Sequence, residues 1–277
     1  MKLEDMGLVT GRAAVMAIVN VTPDSFWAGS RTPAAGPLRE RIAEAVAQGA
    51  SVIDVGGYSS RPGADDVSPG EELRRVCLGV EAVRELAPAM PVSVDTFRAS
   101  VVEGVVQRFG AVIVNDISAG ELDPAMIPAV ARLGLPYIAM HMRGTPADMQ
   151  GRTDYACGIV AEVKRYFTQK AARLREAGIG ELILDPGFGF AKTLEQNYSL
   201  LKGLSSLGEL GLPLLAGVSR KSMIYRQLGV SPAEALNGTT ALHWECLRQG
   251  VRLLRVHDVR EAVETVALFE AFRQAPL

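Results

Sequence analysis

Three short stretches hold the residue types best suited to chemistry. Asp185-Pro186-Gly187-Phe188-Gly189-Phe190 puts a carboxylate at the end of an apolar run, followed by bare backbone and two aromatic faces. Such a carboxylate can accept two parallel hydrogen bonds from a guanidine-like edge, as on a pterin; read blandly, it is a charged loop with glycine for a turn. Ser219-Arg220-Lys221-Ser222 ends another apolar run where a helix should begin, so free backbone N–H groups favour an anion beside Lys221. Arg255-Val256-His257 ends a third, and strand alternation aims Arg255 and His257 to one side. That pair suits a diphosphate, although His257 alone reads equally as a hydrogen-bonded rim histidine. The three stretches suit a flat heterocycle that carries a diphosphate.

Other polar residues close further apolar runs. Asp95 and Asn115 are expected to converge with Asp185, either on a ligand or as a structural hydrogen-bond network. Asp116 should point away from Asn115 and is read as structural. His141, between Met140 and Met142, is expected to line the pocket wall, and His243, beside Trp244, to sit in the core or an interface. Ala191-Lys192-Thr193 is a near miss for a phosphate-loop motif and the glycines do not follow G-x-G-x-x-G, so a nucleotide loop is unsupported.

The elements that must position these groups repeat. Eight candidate strands span Ala13–Asn20, Ser51–Val55, Pro91–Asp95, Ala111–Asn115, Pro136–His141, Glu181–Asp185, Pro213–Val218 and Val251–Val256. They are short, continuous and rich in Val, Ile and Leu, as for strands covered on both faces, with helical patterns between them. Leu73, Val76, Cys77, Val80 and Val83 recur at helical spacing behind Ser68-Pro69-Gly70-Glu71, which reads as a capping box, and Asp258-Val259-Arg260-Glu261 opens the last helix in the same way. Eight strand–helix rounds predict one (β/α)8 barrel domain over residues 1–277, with the site at the C-terminal ends of the strands. The segments Val21 to Pro37 and Gly56 to Val67 are rich in Gly, Pro, Ser, Arg and Asp and read as mobile lids, at about 21–37 and 56–67.

Composition narrows the partners. The net charge of −2 comes from 29 basic and 31 acidic residues without single-sign blocks, which argues against nucleic-acid or membrane-surface binding. The acidic start, Met1-Lys2-Leu3-Glu4-Asp5, is unlike a signal peptide, so a cytosolic protein is expected. Cys77, Cys157 and Cys246 lack metal-ligand spacing and are expected to be reduced, packed thiols.

Taken in order, the motifs resemble those of the bacterial dihydropteroate synthase family. They are Asn20-Val21-Thr22-Pro23-Asp24-Ser25-Phe26, Asp54-Val55-Gly56-Gly57 with Ser60-Arg61-Pro62-Gly63, Val94-Asp95-Thr96, Asn115-Asp116-Ile117, His141-Met142, and the three stretches above. The resemblance runs nearly end to end. It implies condensation of 6-hydroxymethyl-7,8-dihydropterin diphosphate with 4-aminobenzoate to give 7,8-dihydropteroate and diphosphate. By resemblance, Asp95, Asn115, Asp185 and Lys221 contact the pterin, and Ser60, Arg255 and His257 the diphosphate. Phe26, Arg61, Phe190 and Ser222 surround the aminobenzoate, Asn20 is linked to Mg2+, and the protein is a homodimer. Arg255, His257, Lys221 and Arg61 are then the expected catalytic residues. Tyr58, Ser60 and Ala191 depart from the commoner Glu, Thr and Gly, which bears on aminobenzoate and sulfonamide affinity.

Two other readings remain. A methyltransferase of the methyltetrahydrofolate–corrinoid type shares the barrel and the pterin contacts but handles no diphosphate, so Arg61, Arg255 and His257 argue against it. A non-catalytic pterin-binding paralogue is disfavoured by the complete set of loop and clamp residues. A Schiff-base aldolase would want a lysine within a strand, and none of the eight candidates contains one.

Overall fold

A computed structural model describes residues 2–4, 7, 11–21, 35–58 and 67–276. All eight expected strands form: β1 Ala14–Asn20, β2 Val52–Gly56, β3 Val92–Asp95, β4 Ile113–Asp116, β5 Tyr137–Met140, β6 Leu182–Asp185, β7 Leu215–Ala216 and β8 Leu253–Val256. They pair in parallel in the order β6-β5-β4-β3-β2-β1-β8-β7, and the Leu184–Leu214 bridge brings β6 beside β7 to close the barrel. β7 is shorter than the expected Pro213–Val218. Pro213 has no N–H to give a ladder, and Gly217 adds no packing side chain.

The helices among the described residues are α1 Ala35–Ala47, α2 Pro69–Leu86, α3 Ala99–Phe109, α4 Met126–Leu133, α5 Ile159–Glu176, α6 Leu194–Lys202, α7 Ser222–Leu228, α8 Leu236–Arg248 and α9 Val259–Gln274. Two caps differ from expectation. Ser68 accepts from the Glu71 amide, but the Glu71 carboxylate turns to Arg74 and Arg75, so only half of the capping box forms. Asp258 makes no cap hydrogen bond, because its carboxylate is taken bidentately by Arg220 at 2.8 Å and 2.8 Å. A capping box does form at α6, between Thr193 and Gln196. None of these helices is long and apolar enough to cross a membrane.

Strand alternation divides the core in two. Val15, Ala17, Val19, Val94, Leu184 and Leu254 face outward beneath the helices. Ala14, Met16, Val52, Ile113, Ile138, Ile183, Leu215 and Leu253 fill the barrel, with Leu3 packed against them. The Leu3 amide is held by Glu181 at 2.8 Å. Continued upward, the inward row passes from these apolar residues to Asn20, Asp54, Asp95, Asn115, Asp185 and Arg255, so a polar mouth stands on an apolar plug. Cys77 and Cys246 are buried as expected, whereas Cys157 is exposed.

Candidate active site

β2, β3, β4 and β8 bring a cluster of charged side chains to the mouth. Arg255 donates through Nε to Asp54 at 2.6 Å and through Nη2 to Asp95 at 2.7 Å. The Asn115 amide donates to the same Asp54 oxygen at 3.2 Å, while the second Asp54 oxygen is buried without a protein partner. Burial works against the Arg255 charge, but Asp54 and Asp95 overcome it and raise the pKa further. Burial pushes Asp95 up to about 7, with Arg255 pulling it down and Asp54 adding to the rise. Two of the five guanidinium N–H donors are engaged by these carboxylates, which leaves others for an anion.

His257 stands on the same inward row as Arg255. Ser219 Oγ accepts from the His257 backbone N–H at 3.2 Å and lies 3.1 Å from Nδ1. With the Ser219 hydroxyl as donor to Nδ1, the ring proton is on Nε2, facing the mouth; the roles across this contact follow the ring tautomer. Burial and the nearby Arg255 push the imidazole down to about 4, so at neutral pH it is a neutral donor rather than a second cation.

The opposite part of the mouth is a loop. Asp185, at the end of β6, accepts from the Gly187 N–H at 2.8 Å, and burial raises its pKa while Lys221 opposes the rise. Lys221 Nζ donates to the Phe188 carbonyl at 2.5 Å and lies 4.8 Å from the Phe190 ring centroid. Burial pushes Lys221 down to about 8 against the pull of Asp185. Ser222 is the first residue of α7, which has only 7 residues. Gly187 adopts φ +68°, and a Cβ there would lie 2.1 Å from the His141 carbonyl oxygen, so only glycine fits. Ala191 also has positive φ, at 51°, and its carbonyl accepts from the Tyr155 hydroxyl at 2.9 Å.

Of the expected site residues, the structure gathers Asp95, Asn115, Arg255 and His257 on one side and Asp185, Phe190, Lys221 and Ser222 on the other, with Asn20 at the end of β1. Phe26, Ser60 and Arg61, with most of the two expected lids, lie outside the described residues. Asp116 is structural: it accepts from Ser118, Gly120 and Tyr137 on the outer face. His141 does not line the pocket. Met140 ends β5 facing inward, so the next side chain points outward, where His141 packs against Tyr155, Tyr166 and Phe167. His243 is buried in α8, as expected. Tyr58 packs edge-on to Phe97 at 5.3 Å, with the Arg98 guanidinium over both rings.

Three residues at or behind this mouth were not singled out for the site. Asp54 and Ser219 both close apolar runs and stand in the motifs quoted above, but neither was given a role, because the partners that define it, Arg255 and His257, come from β8 and the residue that follows it. Lys192, buried behind the strand-6 loop, gave no such signal, because nothing local shows where a lysine in a loop will turn.

Comparison with known proteins agrees with this geometry. Residues 16–257 match the model of a family described as pterin binding enzyme. The dihydropteroate synthase of Escherichia coli K12 is 44% identical over 259 residues, which cover 93% of this chain and 90% of that protein. A solved Xanthomonas albilineans dihydropteroate synthase with 4-aminobenzoic acid superposes with a TM-score of 0.87 at 39% identity, over 96% of this chain and 94% of that one. The same enzyme in complex with 7,8-dihydropteroate gives 0.84 at 36% identity, over 96% and 95%. Sequence and fold together place this chain in the pterin-binding enzyme family, among the dihydropteroate synthases.

Proposed function

We propose that this chain joins 6-hydroxymethyl-7,8-dihydropterin diphosphate to 4-aminobenzoate, using the mouth described above. The observation that carries the reading is the part-buried Asp54–Arg255–Asp95 cluster with Asn115, facing the Asp185–Phe190 loop and Lys221. The inward carboxylate of Asp185 accepts from the pterin 2-amino and N3–H groups, and Asp95, Asn115 and Lys221 bond the rest of the heterocycle. Arg255, the Nε2–H of His257 and Ser60 take the diphosphate. Phe26, Arg61, Phe190 and Ser222 hold the aminobenzoate.

The chemistry is a dissociative substitution. The bond from the pterin methylene to the diphosphate oxygen breaks, and the electron pair leaves with the diphosphate. Arg255 and His257 stabilise the charge that grows there, while the electron-rich dihydropterin spreads the developing cation. The aminobenzoate nitrogen then bonds the methylene carbon and loses a proton. Its amine is neutral at pH 7, so no strong base is required, and the protein's task is to align the reactants and keep water out.

Mg2+ fits this site as a partner of the substrate. No group of three His, Cys, Asp or Glu among the described residues could hold a metal, whereas Asn20 presents one neutral amide oxygen beside Gly56. One protein oxygen suits an ion that arrives largely coordinated by diphosphate and water. There Mg2+ would neutralise diphosphate charge, with Asn20 as its protein ligand.

Homodimerisation is part of the same reading. It is supported by an apolar face where Trp244 of α8 packs on Phe269 and Phe272 of α9, with Phe272 and Leu268 exposed at 69% and 66%. Light scattering should give twice the chain mass, and Phe272→Glu should shift it toward the monomer.

The deciding experiment measures diphosphate release from dihydropterin diphosphate with Mg2+, with and without 4-aminobenzoate, and detects dihydropteroate by mass. Product that depends on aminobenzoate supports the synthase. Tight pterin binding without turnover would instead identify a non-catalytic pterin-binding protein.

A further inference from the structure

Lys192 is 4% exposed and lies behind the strand-6 loop. Its ammonium donates to the Gly187 carbonyl at 2.8 Å and the Phe190 carbonyl at 2.9 Å, and lies 3.2 Å from His141 Nδ1. The His141 carbonyl lies 3.4 Å away as well, so the three donors of the ammonium group face four acceptors and none is left idle. Between those two carbonyls, the Phe188 carbonyl is held by a second, half-buried lysine, Lys221. The loop backbone is therefore strung between two cations.

Both residues gripped by Lys192 bear on ligand contacts. Gly187 gives its carbonyl to Lys192 and its N–H to Asp185, so the same residue orients the carboxylate at the end of β6. Phe190 gives its carbonyl to Lys192 while its ring lies beneath Lys221. Gly187 is pressed so closely on the His141 carbonyl that no Cβ fits, which leaves the loop one way to wrap the ammonium.

We propose that Lys192 is a positioning residue for the condensation, whose buried ammonium holds the Gly187–Phe190 backbone so that Asp185 and Phe190 meet the two substrates. The inference rests on the function proposed above. Neither Asp185 nor Phe190 touches the bond that breaks, so losing Lys192 weakens ground-state and transition-state binding together and is read mainly in KM.

The hold also depends on charge. Burial pushes Lys192 down to about 7, with Asp185 opposing and Lys221 and Arg143 adding to the fall. His141, the remaining titratable neighbour, is itself pushed down to about 2 by burial and by Lys192, and stays a neutral acceptor. As pH rises through neutrality, Lys192 becomes an amine with one donor fewer and no charge, and its grip on the carbonyls weakens.

Two measurements test this. In the wild-type protein, hydrogen exchange of the 187–191 amides, corrected for the intrinsic rate, should lose about fivefold or more of its protection between about pH 6 and 9. Constant protection overturns the charge-dependent hold. In Lys192→Met, the KM for each substrate should rise about tenfold, with kcat within about threefold of wild type and the pH dependence of KM flattened. A folded variant with both KM values within about twofold of wild type overturns the proposal, even if its melting temperature has dropped. Should Lys192→Met fail to fold, Lys192→Gln, which keeps two donors without charge, is judged by the same criteria with about a threefold rise expected. If wild type makes no dihydropteroate, the synthase reading has failed, and the exchange measurement alone judges the Lys192 hold.

Discussion

The two sides of the barrel mouth hold charge in different ways. On the β2, β3 and β8 side, the cation Arg255 is paired with carboxylates that come from other strands. On the β6 side, Lys192 and Lys221 are paired mainly with backbone carbonyls of a single loop. Side-chain pairing leaves the strand backbone free for its ladder, and fixes the side chains themselves. Carbonyl pairing fixes the path of the chain, which suits a loop that has no ladder to define it. One site thus contains both a preset charge cluster and a shaped wall.

Arg255→Ala should break the first side with the largest effect. It leaves the buried Asp54 and the half-buried Asp95 without their cation, at a cost of about 3 kcal/mol by denaturant titration. It should also lower kcat by about a hundredfold, because diphosphate charge grows in the transition state. An unchanged kcat in folded protein would remove Arg255 from leaving-group stabilisation.

Gly187→Ala breaks the second side through backbone alone. The added Cβ meets the His141 carbonyl at a residue held at positive φ, so we expect a loss of about 2–4 kcal/mol and weaker binding of both substrates. Stability equal to wild type would mean that the loop has another path.

Asp185→Asn leaves both frameworks standing and changes one recognition contact. An amide offers a donor where the pterin edge needs an acceptor, so affinity for the pterin diphosphate should fall about tenfold to a hundredfold by calorimetry. Unchanged affinity would defeat the assignment of Asp185 to that edge.

The smallest effect concerns the histidine on each side. His141 is pushed down to about 2 and His257 to about 4, both by burial first, so the folded protein keeps them neutral where the unfolded chain protonates. With folded values below the unfolded one, the unfolded state takes up protons as pH falls below about 6.5, and stability should decline from there toward pH 4. His257→Asn should flatten that slope by about 1 kcal/mol per pH unit. An unaltered slope would return His257 to the role of a cation.

Strand identity and inward polarity were legible because both depend on near neighbours. Apolar runs ending in Asn20, Asp95, Asn115, Asp185 and Arg255 stand out in the chain itself, and period-two alternation sets Asp116 apart from Asn115. His141 was misplaced because its place at the end of an apolar run was read as a place in the pocket, whereas the alternation that sets Asp116 outward sets His141 outward too. Asp258 carries the residue type of a helix cap, yet it serves Arg220, a partner 38 positions away.

Pairing was not legible, and the reason is physical. Arg255 meets Asp54 across 201 positions of chain because β8 and β2 both flank β1 in a closed barrel. Lys192 turns behind its loop because Gly187, Phe190 and His141 leave four acceptors there with little solvent to satisfy them. Local periodicity determines which face a residue takes, since it follows from backbone geometry over a few residues. Which charge answers which is decided by desolvation among groups that only closure of the barrel brings together.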